Sequence, residues 1–262
     1  MKVLGIDTSG YINAVGICDG ARAVADRRFP AKTDTLEQIV DNIDATLKNA
    51  GTALGELGGI GVGLGPGSWT GIKVGVTVGK MLAFAADKPV IGIPTLEALA
   101  YGVRGASHTI YTVIGAGVRD MVYAARYRFR QNEPVRDGDY YIGDAGGLSK
   151  FVYGPCVLAG QNAVRYRDMI WGKNEPAQDK PEAEKARLSG EKHIRSGKTA
   201  RNEPAQTGLI EAINAEPSGA AVACLAALKL ARGRRDDPLA LAPLYLKEST
   251  AKVFVNKYSG KS

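Results

Sequence analysis

Apolar and polar positions alternate along the first hundred residues with two distinct periods. Residues 3–6, 13–18 and 23–29 form short apolar runs separated by Ser9-Gly10 and Asp19-Gly20. That pattern predicts three buried strands joined by tight antiparallel turns. The period then lengthens: Leu36, Ile39, Val40, Ile43 and Leu47 recur at helical spacing, predicting an amphipathic helix over 35–50. Asp34 and Glu37 supply a variant capping box at its start, and Gly51 stops it. A strand at 60–64, a glycine-rich turn, a helix over 70–86, a strand at 89–93 and a short helix at 95–101 complete this half. Ile72, Val74, Val76 and Val78 alternate with period two, which argues for a strand. The run is nevertheless longer than most strands and continues into Lys80-Met81-Leu82-Ala83-Phe84-Ala85-Ala86, a strong helix former, so it is read as helix.

The second half opens with strands at 109–114 and 121–129, read as a hairpin, and continues with short strands at 140–142 and 157–159. Ser218 caps an Ala-rich helix that runs to about Arg232 and stops at Gly233. Residues 172–208 differ from the rest. Lys, Glu, Arg, Ala and Gln dominate, large apolar side chains are few, and Asn-Glu-Pro-Ala-Gln occurs at both 174–178 and 202–206. This composition predicts an exposed, mobile insertion, either a solvated loop or a basic arm that touches RNA or a partner.

The glycine-rich turn carries the most chemistry. Gly-Pro-Gly-Ser-Trp-Thr-Gly (65–71) leads into a helix on which Gly71, Gly75, Gly79 and Ala83 fall on one face. Glycine inside a helix costs about 0.8–1 kcal/mol relative to alanine. Three in register therefore need a compensating contact, either a phosphate held by loop amides or another backbone packed closely. Asp7-Thr8-Ser9-Gly10, after the first strand, reads as a phosphate loop with a carboxylate able to hold a cation-bound water; a plain hairpin turn explains it equally well.

Composition narrows the classes. With 262 residues, 45% apolar and 23% charged, the chain has the make-up of a globular protein large enough for two domains. No run approaches the ~20 apolar residues of a membrane span, and Asp7 interrupts the N-terminal apolar run too early for a secretion signal. Cys18, Cys156 and Cys224 are scattered, which argues against a disulfide framework or a metal cluster and predicts a reducing cytoplasm. The formal charge of +7 is compatible with RNA or an acidic protein. His108 and His193 are the only histidines and lie far apart, a poor supply for a histidine metal site or a Ser-His-Asp triad. No Gly-x-x-x-x-Gly-Lys-Ser/Thr run exists, which excludes a Walker loop.

The order β-β-β-α-β-α-β with a turn after the first strand resembles one half of the actin/Hsp70/sugar-kinase (ASKHA, RNase H-like) α/β superfamily. Gly-Pro-Gly-Ser-Trp-Thr-Gly-Ile-Lys-Val-Gly (65–75), Pro-Val-Ile-Gly-Ile-Pro-Thr-Leu-Glu-Ala-Leu-Ala (89–100), Val-Tyr-Ala-Ala (122–125) and Pro-Leu-Tyr-Leu-Lys (243–247) resemble the TsaB (YeaZ) family more specifically. Trp69 and Lys73 stand where that family has Phe and Arg, and Thr35-Leu36 where it often has His-Ser. The resemblance implies two actin-like domains at 1–102 and 103–246, the second holding the 172–208 insertion, with a tail at 247–262. It also implies a cytoplasmic, non-catalytic scaffold subunit of the machinery that forms threonylcarbamoyladenosine next to the tRNA anticodon. Such a subunit would pair with the catalytic paralogue TsaD, once grouped with glycoproteases of the peptidase M22 type. The ATPase TsaE would join them, tRNA would be met through the complex, and the isolated chain could pair with itself. Leu36, Ile39, Ser68, Trp69, Thr70, Gly71, Lys73, Gly75 and Gly79 are the interface residues this reading expects.

Two departures from the superfamily shape the expected chemistry. Thr95 and Leu99 align with the paralogue's two metal-binding histidines, and neither is a transition-metal ligand in that setting. Ala116 stands where the TsaB pattern has the Asp of its second loop. Half a clamp implies no cofactor of its own, or ATP/ADP held weakly or at a partner interface through Asp7, Thr8, Ser9 and Gly10. The competing readings are a weak nucleotide-binding enzyme of the superfamily, a kinase or metallopeptidase relic, and an RNA-binding module built on the insertion.

Overall fold

The computed structural model describes residues 1–31, 35–105, 109–117, 120–171 and 209–246. Strands β1 (Lys2–Asp7), β2 (Ile12–Asp19) and β3 (Arg22–Pro30) form an antiparallel meander. Helix α1 (Thr35–Asn49) leads to β4 (Gly59–Gly63), α2 (Trp69–Ala85) and β5 (Val90–Ile93). The strands β4 and β5 add in parallel beside β1, so the first sheet has the order β3-β2-β1-β4-β5. Helix α3 (Thr95–Gly102) follows.

The second half repeats this plan. Strands β6 (Thr109–Gly115), β7 (Met121–Arg130) and β8 (Glu133–Arg136) are antiparallel, and β10 (Cys156–Gly160) and β11 (Leu209–Asn214) add in parallel on the other side of β6. The order β11-β10-β6-β7-β8 is that of the first sheet read from its opposite edge, while β9 (Tyr141–Asp144) pairs with β7. Helices α4 (Leu148–Phe151) and α5 (Ala163–Trp171) belong to this half, and α6 (Gly219–Ala231) closes the fold.

Burial sorts the elements into five layers. Leu4, Ile6, Val15 and Ile17 face Ile39, Ile43, Val78 and Ala83 of α1 and α2. On the sheet's other face, Val3, Cys18, Ile91 and Ile93 pack against α6. Leu96, Leu99 and Ala100 of α3 cover Ile110, Ile114, Tyr127 and Val157 of the second sheet. The outer face of that sheet buries Tyr111, Val113, Val122 and Leu158 under α4 and α5. Helices α3 and α6 therefore form the middle layer, tied by an ion pair of 2.7 Å between Lys229 and Glu97. Helix α6, late in the chain, is buried nearly all round because it sits on the earliest strands. Gly5 and Gly16 face each other across β1 and β2. A Cβ at either would overlap the backbone of Gly219 to Ala223, so the missing side chains let the first turn of α6 rest on the sheet.

The sequence-derived strands and helices of the first half agree with the structure to within a residue or two, including the helical reading of 70–86. Ser218 caps α6, accepting from the Ala221 amide at 3.1 Å. Sequence patterning missed β8, α4, α5 and β11. The Asp34–Glu37 capping box, His108, His193, the 172–208 insertion and the 247–262 tail lie outside the described residues.

Candidate functional site

Three structural junctions meet at the C-terminal ends of the parallel strands β1, β4 and β5: the β1–β2 turn (residues 8–11), the start of α2 and the start of α3. Ser68 caps α2, its Oγ accepting from the Gly71 amide at 3.3 Å. The preceding turn contains a cis Gly65–Pro66 peptide. It is stitched on both sides, with the Ser68 amide donating to the Ser9 carbonyl at 2.7 Å and the Thr95 amide to the Gly65 carbonyl at 2.8 Å.

The glycine stripe lies inside this knot. A Cβ on Gly71 would overlap the Thr8 carbonyl oxygen, one on Gly75 would overlap Thr8 Oγ1, and one on Gly79 would overlap Val62 Cγ1. Gly75, Gly79 and Ala83 are buried. The stripe thus seats α2 on the chain's own β1–β2 turn and β4. This corrects its reading as a partner surface, and Ile39, fully buried in the core, is corrected with it. The outward face of α2 is the opposite one. Trp69, Lys73, Thr77 and Met81 follow at i+4 with Phe84 three further on, and all are exposed; Met81 is 66% and Phe84 89% accessible. On the neighbouring α1, Val40 is 56% accessible. Of the residues expected at the interface, Ser68, Trp69, Thr70 and Lys73 face solvent, and the side chain of Leu36 lies outside the described residues.

The exposed stripe is flanked by a C-terminal strap, residues 239–245. Trp69 stacks on Tyr245 with ring centroids 3.9 Å apart, and Lys73 Nζ sits 4.6 Å from the Trp69 ring centre. Lys80 Nζ donates to the Leu241 carbonyl at 3.1 Å, and the Leu244 amide donates to the Leu64 carbonyl at 2.8 Å. Between strap and helix runs a groove of about 470 Å³ lined by Lys73, Thr77, Met81, Leu239 and Pro243 among others.

The Asp7–Gly10 turn faces inward. Asp7, Thr8 and Ser9 are all buried. Thr8 Oγ1 donates to the Gly71 carbonyl at 2.6 Å. Asp7 Oδ1 accepts from the Ser9 amide at 2.9 Å and from Ser9 Oγ at 2.6 Å, while Thr95 Oγ1 lies 2.9 Å from Asp7 Oδ2 and 3.0 Å from Ser9 Oγ. The last three contacts close a ring. The Ser9 hydroxyl donates to one carboxylate oxygen of Asp7, and the Thr95 hydroxyl is placed between the other oxygen and Ser9 Oγ. Burial pushes the Asp7 pKa up, against the lowering effect of the hydrogen bonds from Ser9 and Thr95. The Asp7 carboxyl is enclosed, and the hydroxyl protons of Thr8 and Ser9 are spent within the chain. Gly10 is buried against Gln161, which a Cβ at Gly10 would meet at 2.7 Å. Ala116, on the turn between β6 and β7, has no donor or acceptor in its side chain. The side chains of Asp7, Thr8 and Ser9, expected in a phosphate loop, are thus buried and hydrogen-bonded within the chain. Thr95 belongs to the ring and Leu99 to the core. Among the described residues no group of His, Cys, Asp and Glu could hold a metal, and no described helix is long and apolar enough to cross a membrane.

Two halves with the same strand order, each sheet flanked by helices, define an actin-like (ASKHA-type) α/β protein. Two solved structures give the same fold, each at 20% sequence identity. One is an uncharacterized protein with similarity to peptidase YEAZ from Pseudomonas aeruginosa, with a TM-score of 0.68, covering 94% of this chain and 99% of that one. The other is YeaZ from Pseudomonas aeruginosa, with a TM-score of 0.66 and coverage of 93% and 100%. In sequence, the model of the family "TsaD: tRNA N6-adenosine threonylcarbamoyltransferase" matches residues 30–142. The tRNA threonylcarbamoyladenosine biosynthesis protein TsaB of Bacillus subtilis is 27% identical over 173 residues, covering 65% of this chain and 75% of that protein. Its namesake in Escherichia coli is 28% identical over 134 residues, and that in Haemophilus influenzae is 35% identical over 100. The chain spans 57% and 42% of those two relatives. In sequence the chain is similar to TsaB proteins, and in fold to YeaZ.

Proposed function

We propose that this chain is a non-catalytic subunit in the formation of threonylcarbamoyladenosine in tRNA, and that it works by presenting α1 and α2 to a TsaD-type transferase. The observation that carries the reading is the exposed stripe Trp69, Lys73, Thr77, Met81 and Phe84 on α2. Phe84 and Met81 leave most of their apolar surface in water, and such surface drives association when a partner covers it. The apolar centre with Lys73 and Lys80 beside it suits a partner helix that is apolar at its centre and acidic at its rim. In isolation the same face is open to a second copy of the chain.

The chemistry stays with the partner. The positions aligned with the paralogue's histidines hold a hydroxyl and a hydrocarbon, and the enclosed Asp7 and the apolar side chain at Ala116 support a subunit that holds no nucleotide of its own. Transfer of the threonylcarbamoyl group, in this reading, takes place on the TsaD-type protein, with a TsaE-type ATPase and tRNA joining the same assembly. The test is reconstitution. A TsaD-type transferase, a TsaE-type ATPase, tRNA and the threonylcarbamoyl-adenylate donor are combined with and without this chain. Modified adenosine that forms only when the chain is present supports the proposal; formation at an equal rate without it overturns the proposal. Turnover of magnesium ATP by the chain alone would favour the enzyme reading instead.

A further inference from the structure

Helix α6 runs alongside β2. Its neighbours fix the direction: a Cβ on Gly61 would meet Val222 and Ala226, while one on Gly59, earlier on β4, would meet Leu230 further along α6. The helix is therefore antiparallel to β4 and to its parallel neighbour β1, and so points the same way as β2. Gly16 of β2 abuts Ala220, in the first turn of α6. Two residues further along the strand, about 6.7 Å on the same face, is Cys18. Four residues further along the helix, about 6 Å on the same face, is Cys224. Both are buried in one core cluster, close enough for each thiol to shift the titration of the other.

The two sulfurs are not equivalent. Cys224 Sγ lies 3.7 Å from the Ala21 carbonyl oxygen and lines a pocket of about 460 Å³ that also includes Tyr101, Arg104, Asp26 and Glu216. Its thiol is held below the usual range, first by the neighbouring Cys18 and then by the Arg104 guanidinium. The Cys18 thiol is pushed up, first by the neighbouring Cys224 and then by burial. Cys156 sits in a different core cluster, in the second half.

We infer that Cys18 and Cys224 form a hydroperoxide-reactive dithiol that closes to a disulfide joining β2 to α6. In the first step the Cys224 thiolate, reached through the pocket, attacks a peroxide oxygen. An S–O bond forms, the O–O bond breaks, and the leaving hydroxide takes up a proton as water. In the second step Cys18 sulfur attacks the Cys224 sulfenic sulfur; the S–S bond forms, the S–O bond breaks and a second water leaves. Two thiols and one hydrogen peroxide thus give one disulfide and two waters. The bond would rivet the late helix α6 to the earliest sheet, closing a loop over most of the chain, and long closed loops restrain the unfolded state most.

The test uses the full-length wild-type chain and hydrogen peroxide. Titratable thiols in denaturant should fall from three to one. The intact mass should drop by two hydrogens, and digestion should yield a Cys18–Cys224 linked peptide that dithiothreitol separates. Unchanged thiols, oxygen added at either cysteine without a linked peptide, or a link through Cys156 would each overturn the inference. Cys18→Ser should leave a Cys224 sulfenic acid that dimedone traps. Arg104→Gln should slow closure severalfold; an unchanged rate would overturn Cys224 as the attacking sulfur.

Discussion

Thr8 and Gly71 meet with no room for a side chain between them. Thr8 Oγ1 donates to the Gly71 carbonyl at 2.6 Å, and a Cβ on Gly71 would overlap the Thr8 carbonyl oxygen. That contact decides which way α2 faces. With the glycines turned to the β1–β2 turn, the large side chains of the helix are left to solvent.

Filling the stripe should therefore damage the fold itself. Gly71→Ala and Gly75→Ala should each destabilise by about 1–3 kcal/mol through overpacking, more than the ~1 kcal/mol that alanine gains in a helix. Thr77→Ala, on the exposed face, should stay within about 0.5 kcal/mol. Urea denaturation of the three variants measures this; a Gly75→Ala protein as stable as wild type would show that the helix has slack against Thr8.

Asp7 should make stability depend on pH. Burial raises its pKa in the native state above the unfolded value, so the native state holds the proton more tightly. The stability this contributes is fully present below the unfolded carboxylate range and is lost as pH rises through the raised native value. In the Asp7→Asn variant the side chain at this position does not titrate. The stability of wild type relative to that variant should therefore fall as pH rises from about 4 to neutral. A difference that stays constant across that range would contradict the raised native pKa of Asp7.

Thr95→Val removes the one hydroxyl that reaches both Asp7 and Ser9 while keeping the side chain's volume. Leaving buried oxygens without a partner costs about 1–3 kcal/mol. Thr95→Ser keeps the hydroxyl and loses only the methyl group, so it should be the more stable of the two variants. Thermal unfolding of the pair measures the difference. A valine variant as stable as wild type, or more stable than the serine variant, would assign the site's contribution to methyl packing instead of the ring.

The first half was legible because its periods are clean. Alternating runs end at turn residues, and α1 repeats its apolar positions over four turns. β8 escaped because Glu133-Pro134-Val135-Arg136 is a four-residue edge strand containing proline, and α5 because Ala163–Trp171 interleaves charges with its apolar positions. The glycine stripe shows the sharper limit. A spacing of four establishes that Gly71, Gly75 and Gly79 share one face, yet it does not say what lies against that face. Thr8 and Val62 do, and they come together with the helix only through the sheet. The readable signal for the opposite face was Met81 with Phe84, large apolar residues placed off the glycine side, which helix propensity alone absorbed. Asp7 likewise reads as a phosphate-loop carboxylate until Thr95, distant in sequence, closes the ring around it.

If the outward face of α2 is the partner surface, titration calorimetry of the chain against a TsaD-type transferase tests it most directly. Met81→Asp and Phe84→Asp, with folding checked by circular dichroism, should each weaken binding at least about tenfold, the equivalent of ~1.4 kcal/mol. Affinity equal to wild type in both folded variants would contradict the central claim.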